Sequence, residues 1–439
     1  MARLTAAWLL ACAVLLAGTA SSSTALPPSV PGIDAPQLAR LGPDRVGFRT
    51  LTLVHEGQPE LLSADPATGR VPLHPRVLKV DLWYPAKARL GAATMTYSAS
   101  LFGEPPRPAV RFKVRGLAIS NAASAGRGYP LVILSHGYSN APAVMTWLTE
   151  NLASKGYVVA AIHHEDPNPY VISAEQRAAP NYNRPVDIAF VAGALRQQLG
   201  ALIDPTQLAL IGYSQGGYGV LTAGGASLDP AGPSMGLVAG GWLQRIARGA
   251  PHEDQGKVAG VKAIIALAPA GGQPRSAWGT IGLLDITAPL LLIQGDADPV
   301  VDYKTGALAV FENARNSDRY LLTYRQAGHA IALNPAPQEM RNGLWDIDWF
   351  EDPIWRQDRI NAINLHFITA FLAVHLRGDA GARSFLDVPV EIASEGVWDA
   401  PVGTPWGAYS PGGSGVTLWK GFQRRHAQGL VLHHAAAGQ

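Results

Sequence analysis

The chain has 439 residues, 47% of them hydrophobic and 15% charged, with a formal net charge of +2. Such a length and apolar content allow a full-sized core in one large domain or two. A charge this close to zero, with no long block of one sign, gives no reason to expect nucleic acid or an anionic surface as partner, and suits a small, neutral or mildly polar substrate.

Residues 1–25 combine a basic start at Arg3, an apolar stretch from Ala6 to Ala17 and a small-residue run ending Ser23-Thr24-Ala25. This is the pattern of a secretory signal peptide cut after Ala25, or alternatively after Ala20, and it predicts a secreted or periplasmic protein. The apolar stretch is too short to span a bilayer, so no stable membrane anchor is expected. Cys12 is the one cysteine and lies inside this leader, so the mature protein is expected to carry neither thiol nor disulfide. Leu26 to Pro43, rich in Pro, Gly and Ser, reads as an extended lead-in reaching residue 45.

Strand candidates follow at Phe48 to Val54, Val77 to Tyr84, Leu131 to Ser135, Val158 to Ile162, Leu208 to Ile211, Val261 to Leu267, Leu290 to Ile293 and Tyr320 to Tyr324. Helical segments fall between the later ones: Ala143 to Ser154, Pro185 to Gln198, Gly217 to Ala226 and Thr305 to Ala314, with a last one near Arg359 to Leu376. Pro185 suits a first helical turn, and Lys155-Gly156 and Gly200 suit helix ends. The alternation predicts an α/β protein with an eight-stranded, mostly parallel sheet covered by helices on both faces, binding ligands beyond the carboxyl ends of its strands. Pro85 to Gly128, Ser227 to Gly260 and Gln326 to Asp358 read as excursions from this core. The catalytic-type domain is expected over 46–383. Residues 384–439 are expected to form an extension packed on it, because Trp398, Trp406, Trp419 and Phe422 are too aromatic for a disordered tail.

Gly212-Tyr213-Ser214-Gln215-Gly216 directly follows the apolar run Leu208-Ala209-Leu210-Ile211. This is the strand, sharp turn and helix context in which G-x-S-x-G exposes a serine hydroxyl. A hydroxyl is a weak nucleophile that needs an imidazole to take its proton and a carboxylate to orient the ring. Leu290 to Ile293 empties into Gln294-Gly295-Asp296-Ala297-Asp298-Pro299, and Tyr320 to Tyr324 is followed by Ala327-Gly328-His329-Ala330. Asp298 is therefore the expected acid and His329 the expected base. Asp296 and Asp302 are reserve candidates for the acid, with capping of the turn expected of Asp296 and the start of the next helix of Asp302. Charge developing on a carbonyl oxygen needs backbone donors, expected from Gln215 and from Tyr138 in the loop His136-Gly137-Tyr138-Ser139.

Other polar residues receive structural assignments. His136 precedes the turn and is expected to hydrogen-bond its loop. His163-His164-Glu165-Asp166 offers metal-ligand residue types, but neighbours on an extended segment point apart, so a solvated loop is expected that can still line the pocket. Arg184 and Asp187 are placed at a helix start, and His433-His434 in an inert tail. Trp147, Trp242, Trp278, Trp345, Trp349 and Trp355 could floor an acyl pocket, although packing suits most of them.

From Val77 to about Gly378 the chain resembles α/β-hydrolases of the dienelactone hydrolase and platelet-activating-factor acetylhydrolase-like group. The resemblance is carried by Asp81-Leu82-Trp83-Tyr84-Pro85, Pro130 to Tyr138, Gly156-Tyr157-Val158-Val159-Ala160, Arg184-Pro185-Val186-Asp187-Ile188 and the three segments around Ser214, Asp298 and His329. Dienelactone hydrolases proper have a cysteine where this chain has Ser214. Bacterial cutinases and polyesterases look similar around Tyr138 and Ser214, with His or Trp and then Met where this chain has Tyr213 and Gln215. The resemblance implies the α/β-hydrolase fold; with the leader at residues 1–25 and the Ser214, Asp298 and His329 segments, the expected protein is an exported, cofactor-free serine hydrolase that cleaves carboxylic esters through an acyl-enzyme. A lipase, polyesterase or acyltransferase on the same fold, or a non-catalytic exported binding protein, are the alternatives.

Overall fold

The computed structural model describes residues 26–439 apart from 66, 90, 273–275, 344–346, 400–402, 405–412 and 414. The expected signal peptide with Arg3 and Cys12, as well as Trp345 and Trp406, lies outside the described residues. Long strands β1 (Arg45–Pro59) and β2 (Leu73–Lys87) pair antiparallel, while β3 (Thr96–Leu101) and β4 (Val110–Arg115) make a separate ribbon. Short β5 (Ile119–Ser120) joins β1, and β6 (Ala123–Ser124) joins β2. The centre is parallel: β7 (Tyr129–Ser135), β8 (Val158–His163), β9 (Ile203–Tyr213), β10 (Ala263–Leu267), β11 (Leu290–Gly295) and β12 (Arg319–Tyr324). Strand β13 (Leu430–Ala435) closes one edge antiparallel to β12. The main sheet runs β13-β12-β11-β10-β9-β7-β8-β2-β1-β5.

The helices are α1 (Thr146–Ser154), α2 (Ala174–Gln198), α3 (Gln215–Ala223), α4 (Trp242–Arg245), α5 (Gly279–Leu283), α6 (Ala309–Asn313) and α7 (Gln357–Arg377). Successive residues of a strand point to opposite faces, so each central strand feeds two cores. Val132 and Leu134 pack with Trp147, Leu148, Phe367 and Phe371 from α1 and α7. Leu131 and Ile133 pack with Val186, Ile188 and Leu221 from α2 and α3. Burial on both faces is why these strands read as continuous apolar runs in the sequence.

All eight predicted strands are present and the mostly parallel, helix-covered sheet is as expected, but the sheet has eleven strands rather than eight, with β5, β6 and β13 added by antiparallel or two-residue pairings at its edges. Two local expectations are corrected. Helix α2 starts eleven residues before Pro185, at Ala174. Ser173 caps it, its hydroxyl accepting from Gln176 N–H at 3.2 Å while Gln176 Oε1 accepts from Ser173 N–H at 3.1 Å. Pro180 and Pro185 lie inside the helix. Pro185 has no N–H for the Asn181 carbonyl four residues back, and the Tyr218 hydroxyl donates to that carbonyl instead at 2.9 Å. His433 and His434, expected in an inert tail, belong to β13; His434 stacks on Tyr320 and bonds Asp318 at 2.7 Å.

The lead-in is tied down by α1. Ser29 donates to the enclosed Glu150 carboxylate at 2.7 Å, and Asn151 donates to the Ala39 carbonyl at 2.9 Å. Chain order reverses across β7 and β9: the chain moves from β7 outward to β8 on one side, then crosses to β9 and continues to β10 on the other. Crevices at such a reversal, beyond the strands' carboxyl ends, are where open α/β sheets bind ligands.

His136, His164 and His366 are almost wholly enclosed. Burial pushes all three below the usual imidazole range, His164 to about 4 and His366 to about 3. The unfolded chain takes up these protons near pH 6.5 and the fold resists them, so stability is fully present above pH 6.5 and declines as the pH falls towards 4. For His164 alone the full loss is about 3 kcal/mol. Urea unfolding at pH 7.5 and pH 4.5 is expected to give a distinctly lower midpoint at the acid value; equal midpoints would contradict enclosure of these rings.

Candidate active site

Ser214 occupies the turn between β9 and α3 with φ 53° and ψ −117°, a conformation that costs a non-glycine residue roughly 1–3 kcal/mol. Three backbone bonds hold it there. Ser214 N–H donates to Leu267 O at 2.9 Å, and its carbonyl accepts from Tyr218 N–H at 3.1 Å and Ala270 N–H at 3.0 Å. The flanking glycines are steric requirements. A Cβ on Gly212 would run into the Gly216 carbonyl, and one on Gly216 would run into the Ser135 and His136 carbonyls at the end of β7.

The three predicted reactive residues come together. His329 Nε2 lies 3.0 Å from Ser214 Oγ, and His329 Nδ1 lies 2.7 Å from Asp298 Oδ2. An ionised carboxylate can only accept, so the proton sits on Nδ1 and Nε2 is left to accept from the serine hydroxyl. Asp298 is enclosed, and its Oδ1 accepts the N–H groups of Val300 at 2.8 Å and Val301 at 2.9 Å. The His329 side chain keeps 17% of its surface exposed, which leaves it reachable from solvent. The Tyr213 ring lies 5.2 Å from the His329 ring, and its hydroxyl donates to His329 O at 3.0 Å. Asp352 Oδ2 accepts Gly328 N–H at 2.6 Å, tying the Gln326 to Asp358 excursion to the histidine loop.

Asp296 and Asp302 fill the turn roles expected of them. Asp296 Oδ1 accepts Gln326 N–H at 2.5 Å, and Asp302 Oδ1 accepts Thr305 N–H at 2.9 Å. Gln215 is the first residue of α3, so its N–H has no intrahelical acceptor. Tyr138 and Ser214 line one cavity of about 200 Å³, together with Tyr213, His329, Leu333 and Trp349. Depressions of about 480 and 410 Å³ flank it, sharing Val300 on one side and Trp349 on the other.

Of the other tryptophans, Trp147 and Trp278 are buried in the two cores, Trp355 packs edge-on against Tyr324, and Trp242 packs against Tyr182 and Arg245. Trp349 alone among the described members of that set borders the Ser214 cavity.

The solvated-loop expectation for residues 163–166 is corrected, as is the helix-start placement of Arg184 and Asp187. His164, Arg184 and Asp187 are fully enclosed, the last two in the middle of α2. His164 bonds Ser135 Oγ at 2.9 Å through Nε2 and Asp187 Oδ2 at 2.9 Å through Nδ1. Arg76 forks onto Asp187 at 2.7 and 2.8 Å. Burial alone would raise the Asp187 carboxyl, yet Arg76 and His164 together hold it down at about 2. Asp166 pairs with Arg184, and His163 with Asp81 at 2.7 Å. His163, His164 and Asp166 thus serve separate partners, and among the described residues no cluster of three His, Cys, Asp or Glu could hold a metal. The signal for this network was present as Arg184-Pro185-Val186-Asp187, read as a helix start because of its proline. His136 has the structural position expected of it, its Nδ1 bonding Gly137 O at 2.7 Å.

The elbow after β9 stands where chain order reverses, and Asp298 and His329 follow β11 and β12 of the same mostly parallel sheet. Residues 79–192 match the family model described as platelet-activating factor acetylhydrolase, isoform II. The chain has the α/β-hydrolase fold. Among curated proteins, Cutinase est1 of Thermobifida alba is 25% identical over 226 residues, 51% of this chain and 60% of that protein. Cutinase 2 of Thermobifida cellulosilytica is 36% identical over 95 residues, 21% of this chain and 33% of that protein. The chain therefore matches less than two thirds of the length of either relative. A solved structure of a ferulic acid esterase from Streptomyces cinnamoneus is 21% identical, covers 76% of this chain and 90% of its own, and superposes with a TM-score of 0.46. Among the described residues, no helix is long and apolar enough to cross a membrane.

Gly216→Ala is expected to force β7 and the elbow apart, costing about 1–3 kcal/mol in urea unfolding and slowing fluorophosphonate labelling of Ser214. Unchanged stability together with unchanged labelling would contradict the close approach.

Proposed function

We propose that this α/β-hydrolase is an exported serine esterase that cleaves small carboxylic esters through an acyl-enzyme. The observation that carries the reading is the continuous bond chain from Ser214 Oγ through His329 to Asp298, opening on a cavity. In this mechanism His329 Nε2 takes the Ser214 proton as Oγ attacks the ester carbonyl. Asp298 stays ionised and stabilises the imidazolium, while the N–H groups of Gln215 and Tyr138 receive the developing oxyanion. His329 returns the proton to the departing alcohol oxygen. It then removes a proton from water, which attacks the acyl carbonyl, and passes that proton to Ser214 Oγ as the acyl–oxygen bond breaks and the acid leaves.

A cavity of about 200 Å³ is below the roughly 300–1,000 Å³ that encloses drug-sized ligands, which favours a short group beside Ser214. The matching family model is named for an acetylhydrolase, which supports the same inference, and the curated relatives are cutinases. The flanking depressions leave room for a larger remainder of the substrate. Export is supported by the leader-like composition of residues 1–25.

Ser214→Ala is expected to lower turnover of p-nitrophenyl acetate on the order of a millionfold and to abolish fluorophosphonate labelling. Parent-level hydrolysis by that variant would refute the assignment, and folded parent protein that takes no label would favour a binding protein. Asp298→Asn, which permits the wrong imidazole tautomer, is expected to cost about 10⁴-fold in kcat. On p-nitrophenyl esters from acetate to palmitate, kcat/KM is expected to peak at the short acyl chains; a peak at palmitate would overturn the short-acyl inference.

A further inference from the structure

Behind the Ser214 site lies a second chain of the same residue types. Arg184 Nη1 donates to Ser135 Oγ at 3.1 Å, so the Ser135 proton is directed to His164 Nε2, and His164 Nδ1–H is directed to Asp187. All four side chains are enclosed, which leaves no place for a reacting group. What they surround is the loop from His136 to Ser139. Arg184 Nη1 also donates to His136 O at 2.5 Å, and Arg184 Nη2 donates to Gly137 O at 3.2 Å. His136 Nδ1 donates to the same Gly137 oxygen, and His164 N–H reaches His136 Nε2 at 3.4 Å. Asp166, paired with Arg184, accepts Ser139 N–H at 2.9 Å through Oδ2. Ser139 itself is held at φ 55°, a position a free loop would tend to leave.

The C=O and N–H of a trans peptide point in opposite directions. Gly137 O and Tyr138 N–H belong to one peptide unit. Three donors, Arg184 Nη2, His136 Nδ1 and Asn140 N–H at 3.3 Å, draw Gly137 O to one side and so turn Tyr138 N–H to the opposite side, and Tyr138 borders the Ser214 cavity. Among the described residues no protein acceptor takes that N–H.

We propose that Arg184 and Asp166 are positioning residues that fix the Gly137–Tyr138 peptide as an oxyanion donor, with the Ser135–His164–Asp187 chain holding Arg184 in place. The inference rests on the esterase reading, and concerns how the site is preorganised. The pair acts without touching substrate: Arg184 pins the carbonyls on the near side of Tyr138, and Asp166 pins the amide on the far side.

The test compares kcat and KM on an ester and on its thionoester, whose C=S group profits less from oxyanion donors. Arg184→Met/Asp166→Leu replaces a buried ion pair with apolar groups of similar size, a change that folds commonly tolerate. It is expected to lower kcat on the ester about 10- to 100-fold, below the roughly 10²–10³-fold of a deleted donor. KM should stay within about threefold, and the ester-to-thionoester rate ratio should shrink by a factor similar to the loss in kcat. If the double variant does not fold, Asp166→Asn, of the same shape, carries the same two readouts with a smaller loss. A folded variant with parent kcat overturns the inference. Equal losses on ester and thionoester overturn it too, because they signify general damage. Dependence of the parent's activity on Ser214 is established separately by Ser214→Ala, so a failed clamp and a failed esterase reading are distinguishable.

Discussion

How closely the backbone of β9 and α3 can approach the end of β7 governs the rest of the site. Ser135 pairs with Gly212 in the sheet register, and Gly216 then passes against the Ser135 and His136 carbonyls with no space for a Cβ. That approach sets the Ser214 elbow beside the loop carrying Tyr138. Without it, Ser214 and Tyr138 could not border one cavity of about 200 Å³. The strained φ of Ser214 is sustained by its three backbone bonds to Leu267, Tyr218 and Ala270. Elbow strain and glycine packing are thus two aspects of one constraint.

Two Ser–His–Asp chains built from the same groups differ in burial and in what occupies the serine. In the outer chain, His329 keeps some exposure and Ser214 opens onto a cavity, so the hydroxyl has a free side from which to attack in the proposed mechanism. In the inner chain, Ser135 is occupied on both sides by Arg184 and His164, and His164 resists protonation because it is enclosed. Enclosure converts a reactive arrangement into a rigid strut. Arg184, Arg76, Asp166 and Asp187 satisfy one another there, which offsets the otherwise heavy cost of taking four charges out of water.

Much of the fold was legible because its strands are buried on both faces. Leu208 to Ile211 and Leu290 to Ile293 read as strands from apolarity alone, and the residues just after them are where a parallel sheet presents its chemistry. The candidate site residues were legible for the same reason: Ser214, Asp298 and His329 each follow a strand at its carboxyl end, and the structure brings them within hydrogen-bonding distance. Helix α2 was misjudged because Pro185 looks like a first turn. Only the Tyr218 hydroxyl, arriving from α3, makes a proline tolerable in mid-helix. Strand β13 was missed because Leu430-Val431-Leu432 is short, and its pairing partner lies about a hundred residues earlier.

The sequence by itself determined the alternation of strands and helices, the elbow at Ser214 and the chain order of serine, acid and histidine. These depend on local apolar patterning and on glycines at fixed offsets, information that neighbouring residues carry. Only the tertiary structure decided which polar residues are buried. His164, Asp166, Arg184 and Asp187 look like solvated loop and helix-start residues in the linear chain. They become an enclosed network when α2 and the segment after β8 meet behind the end of β7. Desolvation and pairing arise between segments distant in sequence, so no local pattern contains them.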